Sequence, residues 1–169
     1  MCSAGPDEVD RIVAAWQRER PDLDSSPLHV LSRVSRLARH LDLARRRAFA
    51  EHRLESWEFD VLSALRRSGA PYRMTPGQLV RETLVTSGTM TNRIDRLAVQ
   101  GFVERSPSPT DRRGVVVTLT REGLAVVDAA LADLLAGEQA LLAGLTSEEQ
   151  EALGDLLRRL LTPFDELGS

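Results

Sequence analysis

Two groups of residues in the middle of this 169-residue chain have the types and spacing that suit contact with a polyanion. The first is Thr86, Ser87, Gly88, Thr89, Asn92 and Arg96, within TSGTMTNRIDRL. Short hydroxyl and amide side chains hydrogen-bond base edges, and an arginine suits guanine or a phosphate. Gly88 lets a backbone approach closely. The second group is Asp111, Arg112 and Arg113, within SPSPTDRRG, a loop punctuated by proline and glycine. Two adjacent guanidiniums there can reach a neighbouring phosphate backbone or minor groove, with Asp111 orienting one of them.

The elements that position these groups follow from periodicity. With Met90 at zero and about 100° per residue, Met90, Ile94, Leu97 and Ala98 fall on one side of a helix. Gly88, Thr89, Asn92 and Arg96 fall on the other. Thr86 or Ser87 opens this helix, whose N-terminus itself favours phosphate. Residues 102–106 and 115–119 are β-rich and bracket the arginine loop. Helix, strand, loop and strand in that order make a winged helix, which implies double-stranded DNA as the partner. The helix alone would read as an ordinary amphipathic surface helix; the DRRG hairpin after it supplies the implication.

Flanking elements frame this centre. Residues 7–20 carry Val9, Ile12, Val13 and Trp16 at helical spacing. Ser26-Pro27 opens a long helix to about Arg53, and Ser56 caps a third helix that Gly69 ends. Thr75-Pro76-Gly77-Gln78 and Thr146-Ser147-Glu148-Glu149 have capping-box spacing, and Thr120 caps the long helix after the hairpin. Tyr72-Arg73-Met74 reads as a short extended link. The long helices are apolar-striped with little to pack against in one chain. They point to a homodimer, with a monomeric bundle as the alternative. The expected fold is mainly α with a small β-hairpin. Residues 1–53 would serve dimerisation and an effector pocket, 54–120 the winged helix-turn-helix, and 121–169 dimerisation.

Charge is distributed to match. The net charge is −3, yet residues 29–53 hold seven arginines against two acids, and 86–121 hold six against three. Residues 122–169 hold two arginines against ten acids. A basic centre with an acidic tail attracts DNA at one surface and repels it elsewhere. All 22 basic residues are arginine. Codon bias in a GC-rich genome explains that as readily as phosphate recognition does.

Other function classes find little support. There is no apolar stretch near the roughly 20 residues a membrane span needs, and no secretion signal, so a cytoplasmic chain with no membrane partner is expected. The single cysteine, Cys2, sits near the terminus and excludes a disulfide framework. His29, His40 and His52 lie eleven and twelve residues apart on one helix and cannot converge on a metal. No Gly-rich phosphate loop, nucleophile elbow or HExxH motif is present, so no catalytic residues, metal or cofactor are expected. A winged helix used only for protein contacts is the other alternative.

Arg93 falls between the two faces of its helix. Such an arginine can turn inward to a carboxylate. Asp60, among Trp57, Phe59, Val61 and Leu62, is the candidate, because a buried aspartate needs a cationic partner.

TSGTMTNRIDRL followed by GFVERSPSPTDRRGVVVTLTREG resembles the MarR family of winged helix-turn-helix repressors across essentially the whole chain. The added N-terminal helix with Trp16, together with WEFDVL, is similar to that family's urate-responsive branch (the HucR and PecS type), and most of all to its TamR-like actinobacterial members. The resemblance implies a regulator of a pseudo-palindromic operator, responsive to a small anionic metabolite such as urate or a tricarboxylate. It places effector sensing on Trp16, Asp60, Arg93 and Arg105. A family member with no small-anion effector is the alternative.

Overall fold

The local signals for helix starts translate directly into structure. The computed structural model describes residues 5–108 and 114–167. Along them run α1 (Glu8–Glu19), α2 (Pro27–Glu51), α3 (Ser56–Arg67), β1 (Arg73–Met74), α4 (Pro76–Thr83), α5 (Ser87–Val99), β2 (Val103–Pro107), β3 (Val115–Leu119), α6 (Arg121–Leu142) and α7 (Ser147–Leu167). Thr75 and Gln78 cap one another at the start of α4, and Thr146 and Glu149 do so before α7. Thr86 and Thr120 accept the backbone N–H three residues on, opening α5 and α6. These bonds satisfy amide donors that a helix start leaves without intrahelical partners. At α3 the cap falls one residue earlier than expected. Glu55 is the N-cap, and its N–H donates to Glu58 Oε2 at 2.8 Å.

The chain divides into two compact units, Met1–Arg47 and Ala48–Ser169. In the first, α1 and the start of α2 are joined by ion pairs. Arg33 donates to Asp7 through Nε and Nη2, both at 2.9 Å, and to Asp10 through Nη2 at 2.8 Å. Arg36 pairs with Glu8, and His29 Nδ1 lies 3.6 Å from Asp10. The Arg33 guanidinium, helped by the Asp10 amide, holds the Asp7 carboxyl down at about 2. Arg33 and the Asp7 amide likewise hold Asp10 below the ordinary aspartate value. Both carboxylates are therefore more acidic folded than unfolded. The Asp7 contribution is complete above about pH 4 and is lost as pH falls through about 2, and that of Asp10 is lost in the same direction. An Arg33→Ala variant should melt below the wild type at pH 6, with the gap narrowing as pH falls to 2. A gap that persists unchanged into acid would show that these pairs do not stabilise the fold.

In the second unit, one core gathers Phe49, Leu54, Phe59, Leu62 and Leu65 with Leu79, Met90, Ile94, Leu97, Val117 and Val127. Phe49 and Phe59 stack with centroids 4.2 Å apart and planes 16° from parallel. The expected hairpin, β2 with β3, is present as an antiparallel pair running from Val103–Leu119 to Pro107–Val115. It gains a strand: β1 pairs antiparallel with β3, Arg73 opposite Thr118, giving the order β1-β3-β2. Leu119 N–H also donates to Tyr72 O at 3.0 Å. Leu84 adopts the left-handed conformation (φ 53°, ψ 41°) and makes the tight turn between α4 and α5.

The long helices leave apolar side chains in solvent. They are Leu31, Val34 and Leu37 on α2, Leu131 and Leu135 on α6, and Leu153, Leu156, Leu160, Leu161 and Phe164 on α7. No helix among the described residues is long and apolar enough to cross a membrane. No cluster of metal-ligating side chains occurs among them either. His52 instead meets Asp133, its Nε2 2.7 Å from Oδ2.

Candidate nucleic-acid interface

The core fixes which side of α5 is presented. Met90, Ile94 and Leu97 are fully buried, and Ala98 is partly buried. Thr86, Ser87, Gly88, Thr89, Asn92 and Arg96 are all exposed. An amphipathic helix whose outer face is short and polar is thus held by its apolar stripe against α4 and β2, in the core that α3 shares. Thr86 Oγ1 and Thr89 Oγ1 lie 2.9 Å apart, and Thr91 donates to Ser87 O at 3.1 Å. Trp57, Gly88, Thr89, Asn92, Arg93 and Arg96 line an open groove of about 510 Å³ on this face.

The hairpin root stands next to that helix. Ser108 N–H donates to Gly114 O at 2.8 Å at the end of the β2–β3 ladder. Asp111, Arg112 and Arg113 lie outside the described residues. Arg105 on β2 pairs with Asp95 on α5, so the strand leading to the loop is joined to the presented helix by a charge pair.

Arg93 is half-buried, as its position between the two faces requires. It does not meet Asp60. Its guanidinium lies over the Trp57 ring, 5.3 Å from the centroid, and among the described residues no ion pair joins it to Asp60. Asp60 is exposed, because on α3 it shares a face with Ser63 and Arg67 while Phe59, Val61 and Leu62 turn inward. The buried acid of this helix is Glu58, 1% exposed, which accepts from Gln100 Nε2 at 2.9 Å as well as from the Glu55 amide. Its apolar sequence neighbours point to a buried Asp60, whereas its angular position on the helix puts it outside. Arg93, Arg105 and Asp60 thus have separate surroundings in this structure. Trp16 belongs to the N-terminal unit. There it is about half exposed and lines an apolar hollow with Leu23, Pro27 and Leu28.

Arg96 is also engaged. Its Nη2 donates to Glu55 Oε1 at 2.7 Å, and its guanidinium lies 4.6 Å from the Trp57 centroid. Trp57 Nε1–H donates to Glu55 Oε2 at 2.7 Å. The Trp57 indole and the Arg96 guanidinium hold the Glu55 carboxyl below the ordinary glutamate value. Neither Glu55 nor Trp57 stands out in the sequence as a partner of this helix. Glu55 lies 41 residues before Arg96, and only the folded chain brings the three side chains together.

A polar-faced helix seated by its apolar stripe, preceded by a short helix and a tight turn and followed by a β-hairpin, defines a winged helix-turn-helix protein of the DNA-binding kind. Comparison with known proteins makes the class specific. A family profile described as "MarR family" matches residues 54–114. The HTH-type transcriptional regulator PecS of Dickeya dadantii is 39% identical over 153 residues, covering 90% of this chain and 92% of PecS. A mutant MarR from E. coli complexed with operator DNA superposes with a TM-score of 0.67 at 30% identity, covering 80% of this chain and 94% of that one. Bordetella bronchiseptica BpsR, whose DNA binding is regulated by 6-hydroxynicotinic acid, has a TM-score of 0.58 at 30% identity, with 76% and 98% coverage. The chain belongs to the MarR family of transcriptional regulators, which are DNA-binding proteins and not enzymes.

Proposed function

We propose that this regulator is a cytoplasmic homodimer that represses transcription from a pseudo-palindromic operator and is released by a small organic anion. The observation that carries the DNA reading is the exposed row Gly88, Thr89, Asn92 and Arg96 above the buried Met90, Ile94 and Leu97, beside a hairpin root. Thr86 and Ser87 join that row at the helix start. Asp111, Arg112 and Arg113 extend the contact from the hairpin loop. Likeness to a MarR complexed with operator DNA supports duplex DNA as the partner. The unpartnered leucines of α2, α6 and α7 support pairing of two copies through the flanking regions, 1–53 and 121–169, around the reading region 54–120. Two-fold symmetry then sets the half-sites about one helical turn, roughly 10 bp, apart.

The test is an electrophoretic shift on the protein's own upstream region, repeated across a salt series. The wild type should lose affinity steeply as salt rises. Arg113→Ala should weaken binding and flatten the log–log salt slope by about one unit for each phosphate it no longer neutralises. No shift on any upstream fragment would favour a winged helix that contacts proteins only.

For the effector, Trp16, Asp60, Arg93 and Arg105 are the proposed sensing residues of the urate-responsive branch, and a tricarboxylate is the other ligand their chemistry suits. Two guanidiniums can hold a planar anion bidentately. Arg93 lies on α5 and Arg105 is tied to it through Asp95, so drawing either toward a ligand biases the reading helix. Urate, citrate or trans-aconitate should lower operator affinity in the wild type, and Arg93→Ala or Arg105→Ala should blunt that response. An undiminished response in both variants places the site elsewhere, and no response in the wild type favours a family member without an anionic effector.

A further inference from the structure

The residues around Arg96 do more than support a helix. Its guanidinium rests on the Trp57 ring, and one of its nitrogens is bonded to Glu55. Both oxygens of that carboxylate are used, one by Arg96 and one by the Trp57 N–H. The seat is itself fixed. The Glu55 amide donates to the buried Glu58, and Glu58 accepts from Gln100 at the far end of α5. Arg93, one turn back, lies over the same indole. Yet Arg96 and Glu55 remain about half exposed, and Arg96 lines the open groove that Asn92 and Thr89 also line.

Arginine meets DNA in two ways. A phosphate contact is mainly one of charge. A guanine contact is a bidentate bond to the neutral acceptors O6 and N7, and it depends on how the planar fork is aimed. A carboxylate hydrogen-bonded to the guanidinium offsets its charge and repels phosphate oxygens nearby. An indole under the guanidinium restricts the directions it can take. Both effects weaken the contact to an anionic phosphate more than the contact to neutral base acceptors. Trp57 and Arg96 hold the Glu55 carboxyl below the ordinary glutamate value, which favours its charged form.

We propose that Glu55 and Trp57 are specificity-determining positioning residues, which hold Arg96 as an aimed, charge-compensated donor that favours base edges over phosphates. The inference rests on the reading that the outer face of α5 meets DNA.

The experiment measures fluorescence anisotropy of the full chain with an operator duplex and a non-operator duplex of equal length, across a salt series. Glu55→Gln keeps the side-chain size and an acceptor for the Trp57 N–H. It should bind the non-operator duplex several-fold more tightly and steepen the salt slope by about one unit per protomer. The ratio of operator to non-operator affinity should therefore fall. Trp57→Leu should lower that ratio by weakening operator binding. Arg96→Lys, which keeps the charge without the fork, should retain non-operator binding and lose the ratio. In an Arg96→Ala background, Glu55→Gln should change nothing. If Arg96→Ala weakens operator binding while Glu55→Gln leaves slope and ratio untouched, the inference is overturned and the DNA face stands. If Glu55→Gln acts equally with and without Arg96, Glu55 is only a general negative charge, and the inference fails again. If Arg96→Ala leaves operator binding unchanged, the placement of Arg96 on DNA fails first.

Discussion

Replacing Gly123 by alanine is expected to destabilise the protein by about 3 kcal/mol or more, the upper end for overpacking a tight site. A Cβ built at this position would lie 2.0 Å from the Phe102 carbonyl oxygen and 2.9 Å from a Leu119 methyl. The first is backbone, so no rotamer change relieves it. The same carbonyl accepts from Thr120 N–H at 3.1 Å, and Thr120 Oγ1 both caps Gly123 at 2.9 Å and donates to Gly101 O at 2.7 Å. The end of α5, the entry to β2 and the start of α6 therefore meet within a few residues. To admit a methyl group, α6 must shift or the turn at Gly101 must open. A thermal melt and a denaturant titration of Gly123→Ala measure the loss. A variant as stable as the wild type would mean that the close approach is absent in solution.

The second large effect is at the ring pair. Phe59→Ala should cost about 3–5 kcal/mol, the usual range for deleting a buried phenyl ring. Phe59 is 4% exposed and Phe49 is fully buried, so the vacated space is walled on every side and cannot refill with solvent cheaply. The stacked geometry adds about 0.5–1.5 kcal/mol beyond the area term. Phe59→Leu should therefore lose less than half as much as Phe59→Ala. Denaturant midpoints at unchanged slope separate the two variants. Equal losses for leucine and alanine would argue that ring-on-ring contact, rather than volume, dominates this position.

Short-range signals carry most of the architecture. The capping residues Thr75, Thr86, Thr120 and Thr146 each act on amides only three residues away, so local sequence locates these four helix starts, while at α3 the cap moves from Ser56 to Glu55. The two sides of α5 follow from angular position alone, since Met90, Ile94 and Leu97 set the buried direction. What local sequence does not supply is long-range. β1 is two residues long, and pairing with β3, Arg73 with Thr118, is what makes it a strand. Glu55 and Trp57 are ordinary letters until folding sets them against Arg96. Asp60 misleads for the opposite reason. Its neighbours in sequence are apolar, yet a helix turns about 100° per residue, and the angular argument that succeeds on α5 turns Asp60 outward on α3.

The third strand also has a mechanical meaning. A two-stranded ribbon is a compliant projection, free to swing about its base. Here β3 is gripped on both sides, by β2 and by β1, with a further backbone bond from Leu119 to Tyr72 beyond the ladder. The hairpin is thus a clamped beam. Its foot pivots only by breaking hydrogen bonds to a segment that arrives from between α3 and α4, so displacing the beam relative to the neighbouring rod carries a cost that a free ribbon does not. A partner that engages both works against that cost.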